Sequence, residues 1–338
     1  MRAADRVAYA TRSAGAQFAG VVAAAAHSSG FRWLGVAVAA GLLLALFPDT
    51  AFAWTPGTHV ALGDSVLASL HLVPQPVAEL LRAFPRDFLY GSIAADSSMA
   101  KKYAPVGRHC HSWHVGLEIY DRARDDEPLR AFGLGYMAHL AADAVAHNYF
   151  VPRQLASTSS TSALGHSYWE SRFESCLNEE HSRKARALLL HDHSRSDAHL
   201  DRILSPTIFS THTNRRIFRG MVVAADSESW QRVFQVIVEN SRWDLDRGAV
   251  SRYLDRSFDF IVDLLNRFDH SEPYSLDPAG DEPLRFAKRV RRRAIHRGGG
   301  THVPREASRH FGMPRTTLVY ASGLDAPLFD SLARAPRS

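Results

Sequence analysis

His139, Asp143 and His147 stand four residues apart in the run His139-Leu-Ala-Ala-Asp143-Ala-Val-Ala-His147. On an α-helix this spacing puts all three side chains on one face, about 6 Å apart along the axis. Imidazole and carboxylate together are ligands for zinc. The small residues Ala141, Ala142, Ala144 and Ala146 leave room for ions and for partner helices. A solvated polar face would carry the same spacing by chance. The flanking Leu140, Val145, Tyr149 and Phe150 instead mark this helix as apolar. Burying imidazole and carboxylate in it requires compensation, which a metal ion supplies.

Three further segments hold residues of the same chemistry. His166-Ser-Tyr-Trp-Glu170 is a second i, i+4 pair of ligand types. Its Gly165-His-Ser167 start imitates the nucleophile elbow of serine hydrolases. Trp169 occupies the position of the final glycine and no strand precedes it, so that reading fails. His109-Cys-His111-Ser-Trp113-His114 packs three histidines into six residues and follows Gly91-Ser-Ile-Ala-Ala-Asp96. Trp54-Thr-Pro-Gly-Thr-His59 would carry a free α-amine at Trp54 if the chain is cleaved before it. An amine with a pKa near 8 ligates zinc once deprotonated, and His59 is close enough in sequence to share the ion.

Cleavage at that point is what the leader predicts. Leu34 to Phe47 is an apolar run preceded by Arg32 and followed by the A-x-A site Ala51-Phe52-Ala53. It reads as a secretory signal peptide and is short for a membrane span, which needs about 20 residues. Residues 1–53 are therefore assigned to a leader and the mature protein to the periplasm or the exterior. An uncleaved membrane anchor is the alternative. The 338-residue chain has a net charge of +5 and 18 histidines, a surplus that suits metal binding. Its two cysteines, Cys110 and Cys176, exclude a disulfide scaffold. One bridge is possible, but nothing in the sequence brings them together. Charge is segregated: residues 285–338 carry +9, whereas 54–284 carry −6. An acidic body with a basic tail fits a cation-binding core with a solvated appendage.

Helical periodicity covers most of the body. The pattern predicts helices over 61–70, 77–84, 113–124, 129–150, 165–190, 217–240 and 250–268, the fifth with a break or bend. The helix over 129–150 ends before Pro152, and 154–164 reads as a Ser/Thr loop. No stretch alternates over strand length, so the fold class is all-α. Residues 54–271 are expected to form one helical domain. Residues 272–338 are expected to be a linker and a basic, mostly disordered tail.

In order, the motifs are an N-terminal Trp, T-H, G-S-I-A-x-D, H-x-W, H-x-x-x-D-x-x-x-H and H-x-x-x-E. This resembles the bacterial zinc-dependent phospholipase C family, which includes the catalytic domain of clostridial alpha-toxin. It is also similar to the N-terminal domain of glycosylphosphatidylinositol-specific phospholipase D and, more distantly, to zinc-dependent single-strand nucleases. The motifs span residues 54–175, and the helical scaffold extends to about 270. The resemblance implies a multi-helix bundle around three zinc ions. The first would be held by the amine and carbonyl of Trp54, His59 and Asp143. The second would be held by Asp96, His111, His139 and a bridging Asp143, and the third by His147, His166 and Glu170. Two departures stand out. In the toxin-like members the last histidine of the central motif lies further from the aspartate than His147 does. His111 is chosen over His109 and His114 only by Trp113, and His109 remains an alternative.

A zinc cluster polarises phosphoryl oxygens, supplies hydroxide near neutral pH and stabilises the leaving alkoxide. The expected activity is phosphodiester hydrolysis by a zinc-bound hydroxide, with a phospholipid head group or membrane surface as substrate. Asp96 would orient or deprotonate the attacking water. Tyr149, Phe150 and Trp169 would form a lipid-facing wall or simply core. A nuclease or other phosphodiesterase is the alternative enzyme, against which the acidic body argues. A non-catalytic, zinc-stabilised domain that binds membrane or a partner is the alternative outside enzymes. The basic tail is either a solvated end or an attractor for anionic lipid.

Overall fold

The central helix turns almost no surface to solvent. α5 (Glu127–Val145) is buried along nearly its whole length, from Ala131 through Val145. Asp126 begins it by accepting the Leu129 amide at 3.1 Å, and Pro128 occupies its first turn, where no amide hydrogen is needed. A helix that turns no face to water must be wrapped by others. In the computed structural model, which describes residues 54–98, 104–105, 108–158 and 162–323, three helices supply the main wrapping. They are α3 (Pro85–Ala94), α4 (Trp113–Asp121) and α12 (Arg247–Arg267). α1 (Pro56–Ala68) packs against α3, α5 and α12, and α2 (Gln75–Ala83) adjoins α3 and α5.

Two glycines let α3 approach α5 backbone to backbone. A Cβ on Gly135 would lie 2.0 Å from the Phe88 carbonyl oxygen, and one on Gly91 would lie 2.1 Å from that of Phe132. This contact carries the end of α3, and with it the 3-10 turn Ala95–Ser97, onto the inner face of α5.

Beyond α5 the chain does not stop for Pro152. Residues Ala146–Phe150 form a π-turn in which the Val151 amide reaches the carbonyl of Ala146. α6 (Val151–Ser157) then begins with Pro152 in its first turn. The wider turn accommodates a residue that has no amide hydrogen and would clash with the preceding turn of an α-helix. The expected helix end before Pro152 is corrected accordingly, and so is the expected loop at 154–157 and 162–164, which are helical; residues 159–161 lie outside the described residues. The segment 165–190 is two helices, α7 (Ser162–Glu174) and α8 (Glu179–Leu189), with Asn178 capping the second. The segment 217–240 is also two, α10 (Thr211–Ala225) and α11 (Glu228–Glu239), because the Ser227 side chain accepts the Trp230 amide and starts a new helix. α9 (Ser194–Asp201) precedes them. No strand occurs among the described residues, and the fold is all-α. The described residues also contain no helix long and apolar enough to cross a membrane.

The largest correction concerns the tail. After a 3-10 turn at Pro273–Ser275 come α13 (Asp281–Gly298) and α14 (Val303–Phe311), both packed on α6. Ala287, Val290 and Ala294 form a narrow buried stripe on α13, and Val303, Ala307 and Phe311 form one on α14. Arg291 donates to the carbonyls of Ala156 (3.2 Å) and Ser157 (2.9 Å), closing the end of α6. Further on, Asp259 accepts the amides of Val319, Tyr320 and Ala321, each at 2.8 Å. Residues 272–323 are thus ordered parts of the same unit as the body, not a disordered tail. Cys110 and Cys176 form no disulfide. The leader assigned to residues 1–53 lies outside the described residues.

Replacing Gly135 by alanine tests the backbone contact. The added methyl must push α3 from α5, an overpacking cost of about 1–3 kcal/mol. We expect a lower urea midpoint for Gly135→Ala and less bound zinc per chain, since Asp96 moves with α3. An unchanged midpoint would show that the contact is looser than its geometry.

Candidate metal centre

α5 presents His139 and Asp143 one turn apart, and the π-turn presents His147. All three are buried, Asp143 with no exposed surface at all. Its carboxylate meets three imidazoles. His59 Nε2 from α1 lies 3.2 Å from Oδ1, while His111 and His139 Nε2 lie 3.0 and 3.1 Å from Oδ2. These approaches have hydrogen-bond length but not hydrogen-bond direction. Both Asp143 oxygens and the His59 Nε2 are buried without a hydrogen-bond partner. Burial by itself would raise the Asp143 carboxyl. The surrounding His139, His111 and His59 outweigh it and hold the group well below the usual carboxylate range. Burial, more than any neighbour, lowers His59 and so favours the neutral form, which ligates metals.

Among the described residues the ligand atoms gather in four groups: His59, His139 and Asp143; Asp96, His111 and His139; His147, His166 and Glu170; and His109, Cys110 and His111. In the second, Asp96 Oδ1 is 3.3 Å from His111 Nε2 and 3.9 Å from His139 Nε2. In the third, His166 Nε2 is 2.7 Å from Glu170 Oε1, and the His147 and His166 rings meet edge to face at 5.2 Å. The His111 and His147 ring centroids are 6.4 Å apart, so the groups adjoin. His139 takes part in both of the first two, a sharing that sequence reasoning gave to Asp143 alone. His109 lies close to Cys110 and His111, but it is His111 that reaches Asp96, Asp143 and His139. The His109 Nδ1 accepts the His111 amide at 3.1 Å and shapes the turn. Converging buried carboxylate oxygens and imidazole nitrogens are what zinc requires, and these donors fit it.

Backbone carbonyls fix which nitrogen of each ring faces inward. His139 Nδ1–H donates to Ser92 O at 2.9 Å, and His147 Nδ1–H donates to Pro278 O at 2.6 Å. A carbonyl only accepts, so each ring carries its proton on Nδ1 and turns the Nε2 lone pair to the cluster. Pro278 belongs to the stretch read from sequence as linker. Asp277 accepts the amides of Ala279 and Asp281, each at 2.9 Å, and Asn148 donates to the Asp277 carbonyl at 2.8 Å. Gly280 adopts φ +63°, and a Cβ there would lie 2.4 Å from the Cβ of His147. The Asp-Pro-Ala-Gly turn signature was the available signal for this support.

Trp54 is fully buried. Its Nε1–H donates to the Ala142 carbonyl at 3.0 Å, and its ring packs on Phe150 and Phe173. Glu174 accepts Ser182 Oγ–H at 2.5 Å and crowds Gly57, in the first turn of α1, so the helix that carries His166 and Glu170 also seats the helix that carries His59. Phe150 and Trp169 are core residues, 0% and 1% exposed, which decides between the two readings of them in favour of core. The histidine surplus is only partly a metal signal. His193 and His199 are buried far along the chain and donate to the Leu188 and Ile119 carbonyls.

Residues 58–217 match the family model described as zinc dependent phospholipase C. No curated protein and no solved structure gives a match.

Two variants probe the cluster. Asp143→Asn removes the charge that faces three imidazoles, whereas His114→Ala alters an exposed ring. We expect the first to lose zinc and roughly a thousandfold in phosphodiesterase rate, and the second to retain both. Equal losses in two folded variants would mean that the ligands are misassigned. For Gly280→Ala we expect zinc affinity to fall by about 10–100-fold, as for the loss of an outer-shell partner. Metal titration followed by competition with a chelator measures it, and unchanged affinity would detach Pro278 and Gly280 from the site.

Proposed function

We propose that the chain, whose residues 58–217 match the zinc-dependent phospholipase C family, hydrolyses the head-group phosphodiester of phospholipids outside the cytoplasm. The observation that carries this reading is the Asp143 carboxylate, buried, anionic and faced by His59, His111 and His139. Three ions would be held as follows: one by His59, Asp143 and the terminal amine and carbonyl of Trp54, one by Asp96, His111, His139 and Asp143, and one by His147, His166 and Glu170. Zinc, when bound, would polarise the phosphoryl oxygens, activate water near neutral pH and neutralise charge on the departing oxygen.

The chain's own groups do the rest. Ser92 and Pro278 hold the rings of His139 and His147 in one tautomer, so the ligand nitrogens need no reorientation when metal arrives. Asp96 sits beside His111 at the edge of the second group, where its carboxylate can orient the attacking water and take its proton. Burial of the cluster keeps bulk water from competing with the phosphodiester and strengthens each electrostatic contact.

Release at Ala53–Trp54 would complete the first group. An amide nitrogen has no available lone pair, whereas the α-amine binds zinc once deprotonated. The Trp54 indole, bonded to the carbonyl that precedes Asp143, supports this role by holding residue 54 next to the cluster in the chain.

Purified protein should hydrolyse short-chain phosphatidylcholine, lose the activity to a chelator and regain it with zinc. Single-stranded DNA assayed alongside should be a poor substrate, and preferential cleavage of DNA would replace the phospholipase reading with the nuclease one. A chain beginning at Trp54 should bind more zinc and turn over a soluble phosphodiester faster than one carrying a few extra N-terminal residues. Equal zinc content and equal rates would remove Trp54 from the site.

A further inference from the structure

α13 has two faces of opposite chemistry. Ala287, Val290 and Ala294 are buried against the body. Arg285, Lys288, Arg289, Arg292, Arg293 and Arg297 are exposed on the rows 285-289-293-297 and 288-292, which are neighbouring i, i+4 lines of the helix. The acidic residues of this helix, Asp281 and Glu282, are confined to its first turn. Among the described residues none of the six cations takes part in an ion pair, while the body's arginines commonly do. Arg195 with Asp126, Arg215 with Asp201, Arg219 with Asp197 and Arg267 with Asp263 are examples. Six like charges side by side repel one another and lower stability, so a folded helix that keeps them uncompensated calls for an external anion. Ile295 stands exposed on the same helix, 44% accessible, an apolar residue among the cations.

We propose that the exposed face of α13 docks on an anionic lipid surface. The proposal rests on the phospholipid reading above for its occupant and on the charge of the helix for its strength. Each basic residue near such a surface strengthens binding by about fivefold. Ile295 would enter the head-group layer, as apolar residues of interfacial helices do. A single nucleic-acid strand is the less suitable occupant, because α13 exposes no Phe, Tyr or Trp on which bases could stack. The surface is joined to the metal centre by a short, stiff path. Gly280 directly precedes α13, and two residues earlier Pro278 accepts the proton of His147 Nδ1. Docking through α13 therefore holds the third ligand group at a fixed distance from the bilayer that supplies the substrate.

The test uses the full mature chain and its quadruple variant Arg285→Gln, Lys288→Gln, Arg289→Gln, Arg292→Gln. Co-sedimentation is measured with vesicles of phosphatidylcholine alone and of phosphatidylcholine mixed with phosphatidylserine, across a salt series. We expect the unaltered chain to prefer the anionic vesicles, with binding that weakens as salt rises. The variant should lose roughly six-hundredfold in that partition, fivefold for each of its four substitutions, while its melting temperature, zinc content and rate on a soluble phosphodiester stay unchanged. A second variant with the three arginines replaced by lysine keeps the charge and should keep the binding. Equal partition of the glutamine variant and the unaltered chain would overturn the proposal, as would tighter retention on single-stranded DNA than on anionic vesicles at the same salt. If the unaltered chain binds anionic vesicles through α13 but cleaves no phosphodiester, the docking surface stands and the catalytic reading falls.

Discussion

Everything in this fold answers to one buried carboxylate. Asp143 sits in the middle of an otherwise apolar helix with no surface exposed. Leaving water costs a carboxylate several kcal/mol even after the protein relaxes, and a lone charge there would simply protonate. It stays ionised because imidazoles from three separate segments converge on it: His59 from α1, His111 from the turn before α4, and His139 from its own helix. Each of these segments must reach the centre of the bundle. The alanines beside Asp143 make room, and the glycine contact between α3 and α5 brings the Asp96 turn within reach. Helix packing and electrostatics are here one constraint, since a helix displaced by an ångström leaves a charge uncompensated.

The second layer of that constraint is made of carbonyls, not side chains. A histidine whose Nδ1 proton is pinned by Ser92 or Pro278 can present only Nε2 to the centre. Pinning His147 requires the backbone of 277–280 to pass against the π-turn, which only a residue without a Cβ permits at position 280. The region beyond 272 is therefore part of the site's architecture, although it supplies no ligand side chain.

What could be read from the chain followed the strength of local periodicity. His139, Asp143, His147 and the pair His166 and Glu170 were legible because i, i+4 spacing is itself the geometry of a helix face. The all-α class was legible for the same reason. The choice of His111 over His109 was not, because three histidines in a turn look alike until the partner Asp96 arrives from another helix. The π-turn hid because Pro152 reads as a helix stop unless a wider turn absorbs it. α13 hid because its buried stripe is three small or medium residues wide, and seven basic residues dominate its composition. A folded helix needs only enough apolar surface to match the partner it meets, and here the partner is the short α6. Trp54 was chosen for the amine that cleavage before it would free, whereas the described structure shows what its side chain does, filling the core beside Phe150 and Phe173.

The segregation of charge acquires a physical sense from these placements. The carboxylates of the cluster are internal and are compensated by groups within a few ångströms. At the surface of the body, acidic side chains largely meet arginines of the same region, as Asp197 and Asp201 meet Arg215. Neighbouring opposite charges cancel beyond a Debye length of about 8 Å at physiological salt. Among the described residues the six exposed cations of α13 are in no such pair, and its two acids stand only in the first turn, so the helix keeps a strong positive charge despite the negative total of residues 54–284. A basic helix of this kind cannot steal ligands from the cluster, because the cluster's carboxylates are buried and already faced by imidazole. The chain can therefore hold cations inside and present cations outside, provided the two sets are separated by a layer of apolar packing. The stripe of Ala287, Val290 and Ala294 against α6 supplies that layer.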